Sequence, residues 1–197
     1  MGEPSQITFK PMTLALVGAG VLAASTALLP LEYRPWNFSA IGALALFAAA
    51  RLGFWRGLGA TAVALAIKEV GVYLIYGFPP YPLSAVYFTM YAAFGWYFLR
   101  KTESPLKIGT VALSASLLFF VVSNFVSWLE QAYPYGYSLA GLADCYTAAI
   151  PFYRGTLSGD LVFTGVLFAA HAVLSRAYFP AERVAVAVEA RETEDRP

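Results

Sequence analysis

Lys68 and Glu69 stand side by side near the middle of an apolar run, Leu58–Tyr76. A charged side chain within hydrocarbon is costly, so it marks an ion pair, a ligand contact or a transport path. Neighbours on a helix point about 100° apart, and each of these two is expected to find its own partner in the surrounding bundle or a hydrated cavity. A second polar set comprises Arg34, Asn37, Asn124, Asp144, Arg154 and Asp160, in or beside the connections between apolar runs. Arg154 could pair with Asp160, and Arg34 with Asp144, either as braces for long loops or as the polar groups of a binding site. His171 lies roughly 10 Å from the end of its segment at 1.5 Å per residue, too far from Asp144 and Asp160 for a shared acid–base site. It is expected to be buried and hydrogen-bonded.

Other reactive groupings are missing from the chain. It has one His and one Cys, Cys145, so neither a His-rich metal site nor an internal disulfide can form. It lacks the Gly-rich loop ending in Gly-Lys-Ser/Thr that cradles phosphates. These features predict no catalytic residue, no cofactor and no metal, hence no enzyme. ATP-driven work would need another polypeptide.

The elements that must position these residues are membrane helices. The 197 residues are 59% apolar and 13% charged, about half the charge of a soluble domain, and the mean hydropathy is +0.61. Apolar stretches run at about 12–29, 39–55, 58–76, 82–99, 108–128 and 159–178. Six spans of about 20 residues predict an all-α six-helix bundle over residues 1–180, followed by a disordered Glu/Arg-rich tail over 181–197. Numbering the gaps alternately puts Lys10, Arg51, Arg56, Arg100, Lys101, Lys107, Arg176, Arg183, Arg191 and Arg196 on one side. Arg34 and Arg154 fall on the other. The Lys/Arg excess marks the cytoplasmic side, which puts both termini in the cytoplasm. No basic run suggests nucleic acid.

The outer connections are rich in Pro and Tyr, and their rings suit a flat, amphipathic ligand as well as an interfacial belt. The segment 139–153 is too short to cross a bilayer comfortably and is expected to form a separate re-entrant or interfacial helix before the last span. In the first span Ala15, Ala19, Ala23 and Ala27 recur every fourth residue, a smooth stripe for close helix approach. It serves either packing within the bundle or docking of another membrane subunit. Lys10, the apolar run and Ser25-Thr26-Ala27 also resemble a cleavable signal peptide, but the run is long enough to span and is expected to be retained.

Several blocks are similar to an uncharacterised family of small bacterial integral membrane proteins. They are Arg34-Pro35-Trp36-Asn37-Phe38 with the run through Phe47, Ser123-Asn124-Phe125 with Trp128, and Gly141-Leu142 through Cys145-Tyr146, Arg154 and Gly159-Asp160-Leu161. The overall design resembles the substrate-binding S components of energy-coupling-factor (ECF) vitamin transporters. That resemblance implies a multi-pass protein of the bacterial inner membrane that binds a vitamin or related small molecule near its outer face. A separate transmembrane coupling subunit with ATPases would dock on Ala15, Ala19 and Ala23. Arg34, Trp36 and Asn37 would close over the ligand, while Asn124, Trp128, Asp144, Tyr146, Arg154 and Asp160 line or brace the site. The alternative is a non-transporting auxiliary subunit of a larger respiratory or photosynthetic complex, for which small helix faces and aromatic rims serve equally.

Overall fold

The computed structural model of the chain describes residues 10–30 and 32–183. The described residues form six principal helices in the order of the six apolar runs. They are α1 (Pro11–Ala24, extended by a 3-10 turn, Ser25–Leu28), α2 (Ile41–Leu52), α3 (Phe54–Tyr76), α4 (Leu83–Phe94, extended by a π-helical turn, Gly95–Leu99), α5 (Pro105–Leu129) and α6 (Leu139–Ala177). Four are long and apolar enough to cross a membrane: α1 with its extension, α3, α5 and α6. α2 and α4 with its π turn are shorter. Their outward faces carry large apolar side chains, such as Leu22, Val63, Leu74, Leu106 and Val166. Contiguous apolar surface of this kind belongs in lipid or an interface, and the long apolar helices mark a membrane protein.

α2 occupies the centre. Its residues from Ile41 to Ala49 are 0–1% exposed wherever an apolar side chain is present, and an all-round apolar helix is stable only when enclosed. Its neighbours approach through glycines. A Cβ on Gly57 of α3 would overlap the Ala49 backbone, and one on Gly95 would overlap the backbone of Leu46. Gly95 begins the π turn, so the wider backbone helix sits where α4 touches α2 most closely. Only Gly53, at φ 89°, separates α2 from α3. This left-handed geometry is open to glycine and strained for other residues.

The end of the bundle that holds the basic residues is closed by polar contacts, those of Arg51 and Glu182 buried. Arg51 is 6% exposed and donates to the carbonyls of Leu99 (2.8 Å) and Thr102 (2.9 Å). Its guanidinium also lies 4.7 Å from the Phe168 ring centroid. Lys10 donates to the Arg51 carbonyl at 3.2 Å, and Arg176 pairs with Glu103 at 3.0 Å. Glu182 accepts from the backbone N–H groups of Met12 (2.9 Å) and Thr13 (2.8 Å) and from the Thr13 hydroxyl (2.6 Å). It thereby caps α1 from the far end of the chain, where the helix dipole favours a carboxylate.

Three expectations change here. The segment 139–153 is no separate helix, because α6 runs unbroken through Pro151. At 1.5 Å per residue its 39 residues reach about 58 Å, roughly twice the hydrocarbon thickness. A proline removes one backbone hydrogen bond, and here α6 stays continuous while packed along α5. The tail does not begin at 181: Pro180–Glu182 forms a 3-10 turn tied to α1. The rest of the expected tail, 184–197, lies outside the described residues, with Arg191 and Arg196. His171 is buried (1% exposed) and set against Phe47 at 5.8 Å, but neither ring nitrogen has a hydrogen-bond partner among the described residues. Its apolar neighbours supply burial without an acceptor.

Gly57→Val should cost about 3 kcal/mol or more through backbone overlap, whereas Gly59→Val, where a Cβ meets open space, should be near neutral. Thermal unfolding in detergent compares them. Burial alone would raise the Glu182 carboxyl, but the hydrogen bonds from Thr13 and Met12 outweigh it and hold the group below its ordinary 4.5. The depressed value means this contact stabilises fully above 4.5 and is lost as pH falls through the folded-state value. Glu182→Ala should remove about 1–2 kcal/mol at neutral pH and flatten the acid limb of the melting-temperature profile.

Candidate functional site

At the end opposite Arg51, the helices diverge around a cavity of about 770 Å³, within the range of small-molecule sites. The α1–α2 connection roofs it with Arg34, Trp36, Asn37 and Phe38. The second half of α3 supplies Lys68, Val72, Ile75 and Tyr76, and α4 supplies Ser84, Tyr87, Phe88 and Tyr91. Phe119 and Ser123 of α5 and Thr156 and Asp160 of α6 complete the wall. Apolar surface dominates, with polar groups at a few places.

The roof is held by a glycine groove. Gly155 and Gly159 of α6 are four residues apart, the spacing that lets a membrane helix accept a close neighbour. Here the neighbour is the loop: a Cβ on Gly155 would overlap the Trp36 carbonyl, and one on Gly159 would press on Ser39. Trp36 lies edge-on to Phe152 with centroids 5.2 Å apart. Asn37 adopts φ 56°, the left-handed region that Asn tolerates better than most residues. Arg34 ties the loop to the end of α1 by donating to the carbonyls of Ala27 (2.6 Å) and Leu29 (2.9 Å).

The floor is set by Asp160, 3% exposed. Its Oδ2 accepts the Tyr91 hydroxyl at 2.6 Å, and its Oδ1 lies where a Cβ on Gly42 would stand. The absence of a side chain at Gly42 therefore admits the carboxylate to the amino end of α2. Tyr87 and Tyr91, one turn apart, face the same cavity. The buried Tyr87 hydroxyl has no hydrogen-bond partner among the described residues. On the rim, the Tyr81 hydroxyl donates to Glu130 at 2.8 Å. Burial, then this carboxylate bond, push it above the ordinary phenol value, so it stays a proton donor at neutral pH.

Of the residues singled out from sequence, Arg34, Trp36, Asn37, Asp160 and Lys68 line the cavity. Lys68 and Glu69 do pair, at 2.8 Å, although their Cβ directions diverge. Long, flexible side chains let the tips meet, and low dielectric rewards the contact. Glu69 also accepts from the Tyr81 N–H at 3.3 Å. Asn124, Trp128, Asp144, Tyr146 and Arg154 stand away from the lining. Asn124 bonds back to the Phe120 carbonyl within α5, while Trp128 bonds to the Gly136 carbonyl and Tyr146 to the Val121 carbonyl and fasten the α5–α6 hairpin. Asp144 and Arg154 are exposed.

Neither expected ion pair forms among the described residues. Arg34 is committed to backbone carbonyls. Arg154 and Asp160 share one helix, where six residues turn through roughly 240°, so one faces out and the other in. The sequence reading passed over Tyr91, Phe119 and Gly42. A hydroxyl one turn from Tyr87 within an apolar run was the available signal for Tyr91; nothing local marked the other two.

The chain belongs to a family of unknown function (DUF6580). The family model matches residues 7–185, which takes in all six helices, the roof and the floor. No curated protein matches the chain. No solved structure matches it either.

Gly155→Val should lift the roof from α6. In a variant keeping Trp36 as its sole tryptophan, emission should shift to the red and the melting temperature should fall, while Gly165→Val, at a position with open space, should do neither.

Proposed function

We propose that this chain is a substrate-capturing protein of the bacterial inner membrane that takes a small molecule into the roofed cavity and performs no catalysis itself. The single observation that carries the reading is the cavity. It is largely apolar, covered by a loop seated on glycines, and provided with a few inward polar groups, the usual composition of a ligand pocket. In this reading all six helices lie in the membrane, with α2 enclosed by the other five. The basic end faces the cytoplasm with both chain termini, and the roof faces out.

The S-component resemblance adds a mechanism for release. A separate transmembrane coupling subunit, driven by ATPases, would grip α1. Ala15 and Ala19 are exposed and Ala23 is half-buried, while Met12, Thr13, Val17, Gly20 and Ala24 of the same helix face the bundle. Ala15, Ala19 and Ala23 thus leave a small-residue face for a partner, whereas Ala27 is buried at the cavity. Arg34, Trp36 and Asn37 would act as the closing lid, and the Lys68–Glu69 pair would stiffen the wall beside it.

Two measurements test this. Protein purified from its native source in mild detergent should release a stoichiometric small molecule, detected by mass spectrometry, and Trp36→Ala with Phe38→Ala should lose at least about tenfold of it. Recovery of an empty cavity within a stoichiometric larger complex would replace capture with the auxiliary-subunit role. In a Cys145→Ser background, cysteines placed at Trp36 and Tyr133 should react with an impermeant reagent from outside, and one at Arg183 should not. The reverse pattern would sink the orientation.

A further inference from the structure

The inference deepens the capture reading and rests on it: the cavity floor specifies the charge of what it holds. Asp160 carries a buried carboxylate that accepts the Tyr91 hydroxyl, and the hydroxyl groups beside it, those of Tyr91 and the buried Ser116, are neutral. The amino end of α2 beside Gly42 supplies roughly half a positive charge, which offsets part of the carboxylate and no more. Among the described residues no Lys or Arg forms an ion pair with it. Lys68, the basic side chain of the wall, is held by Glu69; Arg34 is held by carbonyls.

The rings around the carboxylate point the same way. Tyr87, Phe88, Tyr91 and Phe119 form one continuous group, with Tyr87–Phe119 centroids 5.6 Å apart, Phe88–Tyr91 5.8 Å and Tyr91–Phe119 6.1 Å. Aromatic faces are electron-rich and attract cations, the more so where water is excluded. The unpartnered Tyr87 hydroxyl oxygen in the same wall can accept a hydrogen bond. A buried carboxylate without a cation is costly, and a second anion beside it would be costlier.

We infer that the cavity takes an organic cation, an amphipathic molecule whose protonated or quaternary nitrogen sits between the Asp160 carboxylate and the Tyr87, Phe88 and Phe119 rings. Its flat apolar body lies along Val72, Ile75 and Phe38 beneath the roof. Asp160 neutralises the charge, the rings select for a cation over a neutral group, and the roof excludes water. Carboxylate-bearing ligands of the same size are rejected unless their anionic end remains at the mouth.

The full chain in detergent, titrated calorimetrically against detergent-only blanks, provides the test. Three naphthalene probes share a body and differ in charge: (1-naphthylmethyl)trimethylammonium, 2-(1-naphthyl)ethanol and 1-naphthylacetate. The cation should bind at least about tenfold tighter than the alcohol, and the acetate should not bind. Asp160→Asn should bring cation and alcohol level, and Asp160→Glu should retain the preference. Equal binding of cation and alcohol by the unaltered protein, or preference for the acetate, would overturn the charge assignment while leaving the cavity a capture site. Binding of none of the three would also overturn it. The mass-spectrometric search for a native small molecule then decides the capture reading separately. The probe comparison on the unaltered chain stands even if Asp160→Asn fails to fold.

Discussion

The enclosure of α2 is the constraint on which the remaining structure depends. A twelve-residue helix rises only about 18 Å and is too short to cross the apolar layer alone. It carries apolar side chains on every face and must be surrounded. Five neighbours can reach it only if some of them give up side chains at the contact, which is why Gly20, Gly57, Gly95 and Gly159 fall on four different helices facing α2 or its entry. In lipid, where helix association comes from close packing more than from water exclusion, these contacts are the main source of cohesion.

The cavity follows from that short central helix. α2 begins at Ile41, while α3, α5 and α6 continue past its first turn. The space above its amino end is filled by the Arg34–Ser39 connection, leaving a chamber between loop and helix. The same end places backbone N–H groups beside Asp160, a favourable site for a carboxylate. At the other end of α2, the last carbonyls and Arg51 are met by Lys10, by the π turn of α4 and by the α4–α5 connection. One end of the central helix is therefore sealed by polar contacts and the other is left open to a guest.

Polar residues within apolar helices divide into fasteners and floor by what their atoms meet. Asn124 and Thr147 bond to carbonyls one turn back in their own helices, and Trp128 and Tyr146 hold the α5–α6 hairpin together. Asp160 and Tyr91 bond across helices 69 residues apart in sequence, and so report on the assembled bundle. Lys68 and Glu69 neutralise each other in place, which makes a charged pair tolerable within an apolar helix.

The sequence by itself determined six apolar helices in order, the division of the chain into a basic and an aromatic end, and the roof residues Arg34, Trp36 and Asn37. The helices and the two ends rest on composition and local periodicity, which a linear reading retains, whereas the covering role of Arg34, Trp36 and Asn37 rests on the resemblance carried by their block. It also marked Asp160 as a site residue, because a carboxylate in an apolar run is conspicuous. Tertiary structure alone decided the helix lengths, with α6 unbroken through Pro151 and α2 reduced to a buried core. It also decided the partners, joining Asp160 to Tyr91, Glu182 to α1, and the Gly155–Gly159 groove to a loop instead of a helix. Proline strength, ion-pair choice and glycine packing all depend on which surfaces lie across a gap in space, and no residue's neighbours in sequence carry that information.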